Sequence, residues 1–461
     1  MIRLPLILVL LWTLLASCSQ FFPRTEPREA LPQRSGWRHA PAWARAALQQ
    51  DWWTGFEDSD LDSLITTALS QNPDLGVLRK RLERSRAQSR QARATAWPTI
   101  NLNSGFLPGR EQSRATQWSP LDLEPWANHG SVSWELDLFG QIKAGTRAAR
   151  EAERAALWDL HAGRLLTAAA VADAYFRILR LNEERTLVAG SVSANKEILT
   201  FLQAREEAGL LSETSILRQE AEHENLARSL LDLDRLRGLA LLQLETLCGG
   251  EPLSSPDRHL SACQTPPLPA RTSSAVLAQR PDMLAAEARV RSAFEIEESM
   301  RLGLLPSLSL GANTMSRGPS LLSDFRQWII HAGPSVDVPI YAPSRMAGVT
   351  AGRAVTDEAA ALYRKKALIA FREVESSYLN LGNRHHQLEA AKREVVFLEK
   401  ARRNTTATFE NGLVSQIELL ESERRSLEGK RQELAIRHAL LRDHLALVRA
   451  LGGGSKRDLR K

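Results

Sequence analysis

The chain lacks the short residue patterns that accompany most kinds of catalysis. Its 461 residues contain no HExxH, no GxSxG, no phosphate-binding glycine loop and no CxxC pair, and each of these would set reacting groups at the spacing that its chemistry needs. The adjacent His385 and His386 lie inside a long proline-free segment, and we interpret them as solvated side chains. We therefore predict a protein that is not an enzyme and holds no metal and no cofactor.

A basic tract is also missing. The formal net charge is +6, but the 60 basic and 54 acidic residues are interspersed. A nucleic-acid surface would need clustered cationic groups with aromatic residues between them. The composition therefore predicts a solvated surface and no nucleic-acid partner.

A long apolar run occurs only at the N-terminus, from Leu4 to Leu15, and small residues follow it directly before Cys18. This spacing resembles a bacterial lipobox, which predicts a cleaved signal peptide over residues 1–17 and lipidation of Cys18. Ser19 then favours sorting to the outer membrane. The alternative is a plain secretory signal with an incidental cysteine. No later stretch approaches the roughly 18 apolar residues of a spanning helix, so further membrane contact requires barrel strands or the lipid.

Cysteine is scarce, with three residues in the whole chain. Cys248 and Cys263 remain after Cys18, and they flank a loop that contains proline and glycine. In an exported protein they could form a disulfide worth on the order of 3 kcal/mol. Two free thiols fit the sequence equally well.

The chain repeats itself. Pro73 and Pro98 are 25 residues apart, and so are Pro281 and Pro306. Three further pairs of identical residues share an offset of 203, namely Tyr175 and Tyr378, Gly209 and Gly412, and Gly249 and Gly452. These coincidences indicate a tandem duplication of roughly 200 residues.

Proline is absent from residues 127–251 and from residue 344 to the C-terminus. Because proline breaks helices, these runs predict long helices over Gln141 to Ala208 and Ser344 to Asn411. Each would extend on the order of 100 Å at about 1.5 Å per residue. Each ends at a glycine suited to a positive φ, after which Ser212 or Ser415 could cap a returning helix. Each repeat therefore predicts a helical hairpin.

The second returning helix carries apolar residues at every seventh position, which is coiled-coil spacing. They are Leu420, Leu427, Leu434, Leu441 and Val448. Arg424, Arg431 and His438 interrupt the facing seam. Packing against neighbours on more than one side would explain this mixture, and a solvated coiled coil is the simpler alternative.

A first helix from Leu61 to Ala96 is followed by two stretches of alternating polarity, Thr99 to Phe106 and Ser131 to Phe139. Their counterparts are Ser307 to Met315 and Gly333 to Tyr341. The pattern fits strands of a transmembrane barrel and half-buried strands of a soluble sheet equally well. In lipid, four strands cannot close a barrel, so other copies must complete it. Three copies give twelve strands and leave a lumen, whereas eight strands are essentially filled.

Several segments together carry a family resemblance. They are Trp134-Glu135-Leu136-Asp137-Leu138-Phe139-Gly140 before the first long helix, Val338-Pro339-Ile340-Tyr341 before the second, the duplicated proline spacing and the Gly-Leu-x-Ser tips. With them the chain resembles the TolC-like outer-membrane efflux proteins, in the lipidated branch that serves resistance-nodulation-division pumps. The resemblance implies an α+β membrane protein: a homotrimer with a twelve-stranded β-barrel continuous with an α-helical coiled-coil periplasmic tunnel.

The resemblance also implies a domain plan. The parts are a signal peptide (1–17), a lipidated segment of the equatorial region (18–60), the first repeat (61–251), a linker (252–270), the second repeat (271–453) and a basic tail (454–461). The implied partners are a periplasmic adaptor, an inner-membrane pump and outer-membrane lipid. The tip residues expected to face the adaptor are Gly209, Leu210, Ser212, Gly412, Leu413 and Ser415.

The segment after the second tip is similar to the family's periplasmic constriction. By this resemblance Ile417 and Glu421 ring the pore, with Arg424 one turn on, and Ser215 occupies the matching position of the first repeat. Three copies of Glu421 would repel one another and attract cations. Arg424 could neutralise each of them through a helical pair. The alternative is that both are solvated residues on a helix face.

The predicted function is therefore the outer-membrane channel of a tripartite efflux system, lipid-anchored and extending into the periplasm. The alternatives are a duct for type I secretion of polypeptides and a lipid-anchored periplasmic coiled-coil scaffold without a pore. The lipobox favours small-molecule efflux. Cargo selection is expected to rest with the pump, so the sequence specifies neither the transported substrate nor the cognate adaptor and pump.

Overall fold

The computed structural model describes residues 36–40, 51–106, 126–209, 212–256, 258–267, 274–318 and 329–454. Cys18, Leu210 and the C-terminal tail from residue 455 lie outside these ranges, so the expectations for them stay predictions. Within them the chain forms two compact units, one made of the described parts of residues 89–151 and 289–364, and the other of the described parts of residues 32–88, 152–288 and 365–461. We refer to them as the sheet unit and the helical unit. Each unit draws on both repeats.

The described elements follow one another in the order that the duplication predicts. The helices are α1 (Ser59–Gln71), α2 (Pro73–Ala94), α3 (Gln141–Glu207), α4 (Glu213–Leu247), α5 (Pro281–Leu302), α6 (Pro343–Glu410) and α7 (Gln416–Ala450), and the strands are β1 (Thr99–Phe106), β2 (Trp126–Leu136), β3 (Ser307–Gly318) and β4 (Ile329–Asp337). None of the helices in the described part of the chain has the length and apolar character that a bilayer crossing requires.

The sheet unit contains one antiparallel sheet in the order β1-β2-β3-β4. The register aligns Ile100 with Val132, Val132 with Ala312, and Ala312 with Ala332. Because side chains alternate along a strand, this register gathers the apolar residues on one face. The opposite face is polar, with Asn101, Ser131 and Asn313 in one row. The predicted alternation is confirmed.

The apolar face of the sheet is uncovered in the single chain. Ile100 is 78% exposed and Leu102 is 72% exposed, and Ile330 and Val336 are similarly accessible. A row of apolar side chains is costly to leave in water. The edges of the sheet are β1 and β4, and within the described residues neither is paired on its outer side.

Three predicted strand ends are wrong, and one of them is that of the third strand, which continues past Met315 to Gly318. The second strand ends at Leu136 and not at Phe139, because Asp137 instead caps α3, accepting hydrogen bonds from the backbone N–H groups of Ile142 (3.1 Å) and Lys143 (2.9 Å). Gly140 then turns the chain with a φ of +88°. The fourth strand ends at Asp337, ahead of Pro339, which has no N–H to donate to the ladder. The second and fourth strands also begin earlier than predicted, at Trp126 and Ile329, because each of them pairs with β3 from that residue on.

The predicted single helix from Leu61 to Ala96 is also wrong. It is divided into α1 and α2 at Asn72, whose extended backbone (ψ 127°) is the conformation that a following proline imposes. Pro73 takes the first position of α2, where its missing N–H costs nothing. Asn72 also accepts a hydrogen bond from the Leu75 N–H at 3.1 Å.

In both repeats, the residue before the proline donates a side-chain hydrogen bond to the end of a returning helix. The Asn72 side chain donates to the carbonyl of Leu247 at 2.9 Å, at the end of α4. Arg280, which precedes the matching proline, donates to the carbonyl of Ala450 at 2.9 Å, at the end of α7. Leu247 and Ala450 differ by 203 residues. The duplication is therefore visible in the contacts as well as in the sequence.

The core of the helical unit lies between the long helices and the returning helices. Tyr175, Phe176 and Ile178 of α3 are fully buried there, with Leu434, Leu441 and Val448 of the predicted heptad packed into the same cluster. Asp58 fixes the start of α1 against this core, because it accepts hydrogen bonds from the Tyr175 hydroxyl at 2.8 Å and from the Leu61 N–H. The heptad of α7 is thus a core-facing seam.

Candidate functional site

Both hairpins reverse at a glycine with a left-handed backbone. The φ of Gly209 is +72° and that of Gly412 is +71°. At the second turn the Gly412 N–H donates to the Phe409 carbonyl (2.9 Å) and the Leu413 N–H donates to the Thr408 carbonyl (3.0 Å). This pair of bonds is a Schellman motif, which satisfies the last carbonyl groups of α6. The predicted glycine turns are confirmed.

The two returning helices begin differently. Ser415 caps α7 in a reciprocal box, accepting from the Glu418 N–H at 3.3 Å while its own N–H donates to the Glu418 carboxylate at 3.3 Å. Ser212 occupies the same position before α4, but its side chain makes no capping hydrogen bond. The residue three positions on is Ser215, which lacks the carboxylate that completes the box. The side-chain cap expected of Ser212 is therefore absent.

The tips of the two hairpins pack together within the chain. Ile216 and Leu419, which are equivalent positions of the two repeats, share a buried cluster with Leu202 and Phe409. Beside this cluster the Gln416 amide donates to the Ser215 carbonyl at 2.8 Å and to the Gln219 side-chain oxygen at 3.1 Å. The tips are thus tied by apolar contact and by buried hydrogen bonds, which a displacement of one hairpin would break.

The residues assigned to the constriction are exposed in the single chain. Ile417 is 59% exposed and Leu413, at the turn, is 75% exposed. Large apolar side chains in water mark surfaces that meet another molecule or another copy. Glu421 lies one turn beyond Ile417 on α7, and its carboxylate is also accessible.

The predicted helical pair between Glu421 and Arg424 is wrong. Glu421 instead accepts a hydrogen bond from Arg425 at 2.7 Å, four residues along the same helix. Arg424 reaches across to Glu222 of α4 at 2.9 Å. The direction of each side chain explains the exchange, because Arg424 faces the other hairpin and Arg425 lies above Glu421 on the outer face. The charge of Arg424 thus connects the hairpins.

Arg431 also interrupts the apolar seam, and its position is explained by a buried acidic partner. Arg431 contacts the Glu184 carboxylate of α3 at 2.7 Å, and Arg180 contacts the same carboxylate at 2.8 Å. His438 is also largely buried, and this burial lowers its pKa to about 4, with Arg180 and Arg442 adding to the effect. It is therefore neutral at pH 7. The seam is a packed interface with internal ion pairs.

Cys248 and Cys263 are free thiols in this structure. Cys248 is part of the buried core, its sulfur 3.7 Å from the Leu64 carbonyl. The Cys263 sulfur lies 3.8 Å from the His259 carbonyl. Burial raises the pKa of both, that of Cys263 to about 11. The two thiols are unbridged in this structure, and a disulfide between Cys248 and Cys263 stays a prediction.

Glu222, Gln219 and Gln416 are the site residues that the sequence analysis missed. The duplication could have indicated them, because the contacts between the two tips join nearly equivalent positions of the two repeats. Arg425 is equivalent to Glu222 at the offset of 203, and Arg424 is its neighbour. A search for complementary charges at matched repeat positions would have paired Glu222 with Arg425, one residue away from its partner in the structure, Arg424.

Known proteins share both this sequence pattern and this fold. Residues 64–250 and 272–453 match the family described as Outer membrane efflux protein. The chain is 26% identical over 436 residues to the pyoverdine export outer membrane protein OpmQ of Pseudomonas aeruginosa, covering 92% of each. It is 24% identical over 470 residues to the probable outer membrane lipoprotein SilC of Salmonella typhimurium, covering 98% of this chain and 99% of that one.

The fold agrees with this result. The structure of the outer-membrane channel OprN superimposes with a TM-score of 0.83 at 23% identity, and the match covers 93% of this chain and 99% of that chain. The family match spans both repeats, including the proline-free hairpins and the strands between them. Together these observations show that the chain belongs to the outer membrane efflux protein family.

Proposed function

We propose that the chain is the outer-membrane exit duct of a tripartite efflux system, in which three copies surround one water-filled axis. The observation that carries this proposal is the four-stranded sheet, which has an exposed apolar face and two edges without a partner strand among the described residues. In lipid, each unpaired edge would leave backbone N–H and C=O groups unsatisfied at several kcal/mol apiece. Joining β1 of one copy to β4 of the next removes every edge, and twelve strands leave a lumen.

The polar face of the sheet supports a duct with water inside. Asn101, Ser131 and Asn313 form one row of that face, and lipid would contact the row of Ile100 and Val132 on the other. A barrel of this kind needs polar residues inside and apolar residues outside. An acyl chain on Cys18 would add a second attachment to the membrane.

The exposed hairpin tips supply the surface for the other components. In this proposal Leu413 and its neighbours contact a periplasmic adaptor, through which an inner-membrane pump delivers the cargo. Ile417 and Glu421 line the narrowest part of the duct. The Glu421–Arg425 pair is exposed on both sides and worth at most about 1 kcal/mol, so it leaves the acidic ring able to attract cations.

Single-channel recording in planar bilayers tests this assignment. The purified chain should give discrete conductance steps with a preference for cations. Glu421→Gln should reduce that preference, and Arg425→Gln should increase it, because one removes the acid of the ring and the other its partner. Glu428→Gln is the matched control on the same helix and should change nothing. Absence of any conductance would overturn the duct, and an unchanged ion preference in both variants would overturn only the ring.

A further inference from the structure

The helical unit contains a partly open cavity of about 280 Å³ between α3, α4, α6 and α7. Its apolar walls are Leu187 of α3, Leu226 of α4, and Leu420 and Leu427 of α7. Its volume is near the lower end of the range for small-molecule sites, roughly 300 to 1,000 Å³. Helix bundles commonly place ligand sites in such positions, between facing helices.

The basic groups of the cavity wall already have acidic partners. Arg424 contacts Glu222 at 2.9 Å. Arg402 and Lys430 both contact Glu399, at 3.3 Å and 2.8 Å. These ion pairs leave no cationic group at the wall without a carboxylate, so an anionic ligand would have to displace one of them.

Two acceptors at the wall are left without donors. Asn195 is 2% exposed, and among the described residues its side-chain oxygen has no hydrogen-bond partner. Glu423 also lines the cavity and makes no ion pair or hydrogen bond with the described part of the chain. Burial raises the pKa of Glu423, and Glu222 adds to this while Arg402 opposes it. An acceptor removed from water without a donor is unfavourable, and a ligand carrying N–H groups would supply the missing donors.

We propose that this cavity binds a small organic cation, whose ammonium or amidinium group donates to Asn195 and Glu423 while its apolar body lies between the leucines. The ligand would bridge α3 and α7, beside the Arg424–Glu222 contact that joins the two hairpins. All of these contacts lie inside one chain, so ligand binding here does not depend on the trimeric duct.

Calorimetric titration of the purified full-length chain in detergent tests this site with phenethylammonium as the probe. Phenethyl alcohol is the neutral analogue of the same shape, and it corrects for partition into the micelle. We expect saturable binding of the cation at least about tenfold tighter than that of the alcohol, which corresponds to about 1.4 kcal/mol. Binding should weaken as acidification protonates Glu423.

Variants locate the site. Glu423→Gln should abolish the preference for the cation, and Asn195→Leu, which fills the same space without an acceptor, should weaken cation binding at least about tenfold. Glu428→Gln, on the same helix but outside the cavity wall, is the control and should bind as the parent does. Helical circular dichroism confirms that each variant is folded. Equal affinity for the cation and the alcohol, or parental binding by both folded variants, would overturn the proposal.

Discussion

Gly412 adopts a φ of +71° at the turn of the second hairpin, where an added Cβ would meet only the end of the Arg205 side chain, at 3.9 Å. An L side chain is strained there by about 1 to 2 kcal/mol whatever the space. Gly412→Ala should therefore lower the free energy of unfolding of the hairpin by about 1 kcal/mol. Gly382 lies inside α6 with open space around it, so Gly382→Ala should stabilise by up to about 1 kcal/mol.

Thermal unfolding followed by helical circular dichroism measures both variants. The two substitutions add the same methyl group to the same hairpin, and we expect opposite signs. A stabilising Gly412→Ala would contradict the left-handed turn. This contrast separates the backbone conformation from any general effect of alanine.

Some single residues of the site were predictable from the sequence and others were not. Gly209 and Gly412 could be identified because a helix that reverses needs a positive φ at its end, and the duplication marks the position twice. The partner of Arg424 could not be identified from its own helix. Helical spacing indicates Glu421, three residues away, whereas the packing of the two hairpins brings Glu222 to Arg424. An ion pair between helices far apart in sequence depends on the angle at which the helices pack, and residue spacing within one helix does not give that angle.

At the scale of elements, the two returning helices differ in their first turn. Ser415 forms a complete capping box with Glu418, and Ser212 makes no side-chain cap. Ser415→Ala should therefore cost about 1 kcal/mol of stability, within the range for lost caps. Ser212→Ala should be close to neutral. Denaturant unfolding of both variants checks this, and equal losses would show that the first helix is capped as well.

Helix α7 also carries two buried histidines. Burial lowers the pKa of His438 and of His444 to about 4 each, with the arginines beside His438 adding to its shift. An unfolded histidine titrates near pH 6.5, so between about pH 6.5 and 4 the unfolded chain binds more protons than the folded chain. Stability should therefore fall as the pH drops through that window, by up to about 3 kcal/mol per histidine.

Unfolding temperatures between pH 7 and pH 4 measure this dependence. His438→Gln with His444→Gln should flatten the profile over that window. The double variant of His385 and His386 is the control, because these residues lie on the exposed part of α6, and its profile should keep the slope of the parent. A profile that the buried pair leaves unchanged would contradict this assignment.

The bounds of the two long helices were predicted to within one residue, and those of the first helix and the strands less well. The proline-free runs define α3 and α6 because nothing inside them competes with helix. At the ends of the strands and of the first helix, a helix cap or a proline sets the boundary in place of the apolar pattern. Asp137 leaves the alternating pattern to cap α3, and Pro73 divides a segment whose apolar period continues through it. The periodicity of apolar residues does not reveal a capping side chain or the missing backbone N–H of a proline.

At the scale of the whole molecule, the sheet is the part that a single chain leaves incomplete. The apolar side chains of Ile100 and Leu102 are exposed to solvent. The outer edges of β1 and β4 have no strand beside them among the described residues. The duplication made four strands predictable. It could not choose between a soluble sheet and a membrane barrel, because both need the same alternation. The family match resolves this choice, since its members are outer membrane proteins.

The number of chains in the membrane-extracted particle tests the central claim most directly. Native mass spectrometry of the lipidated protein, released from outer membranes in mild detergent, should give the mass of three chains carrying acyl groups. The same particles should show β-sheet in their circular dichroism, because closure of the edges between copies keeps the sheet intact. A stable single chain that retains its sheet in detergent would contradict the account.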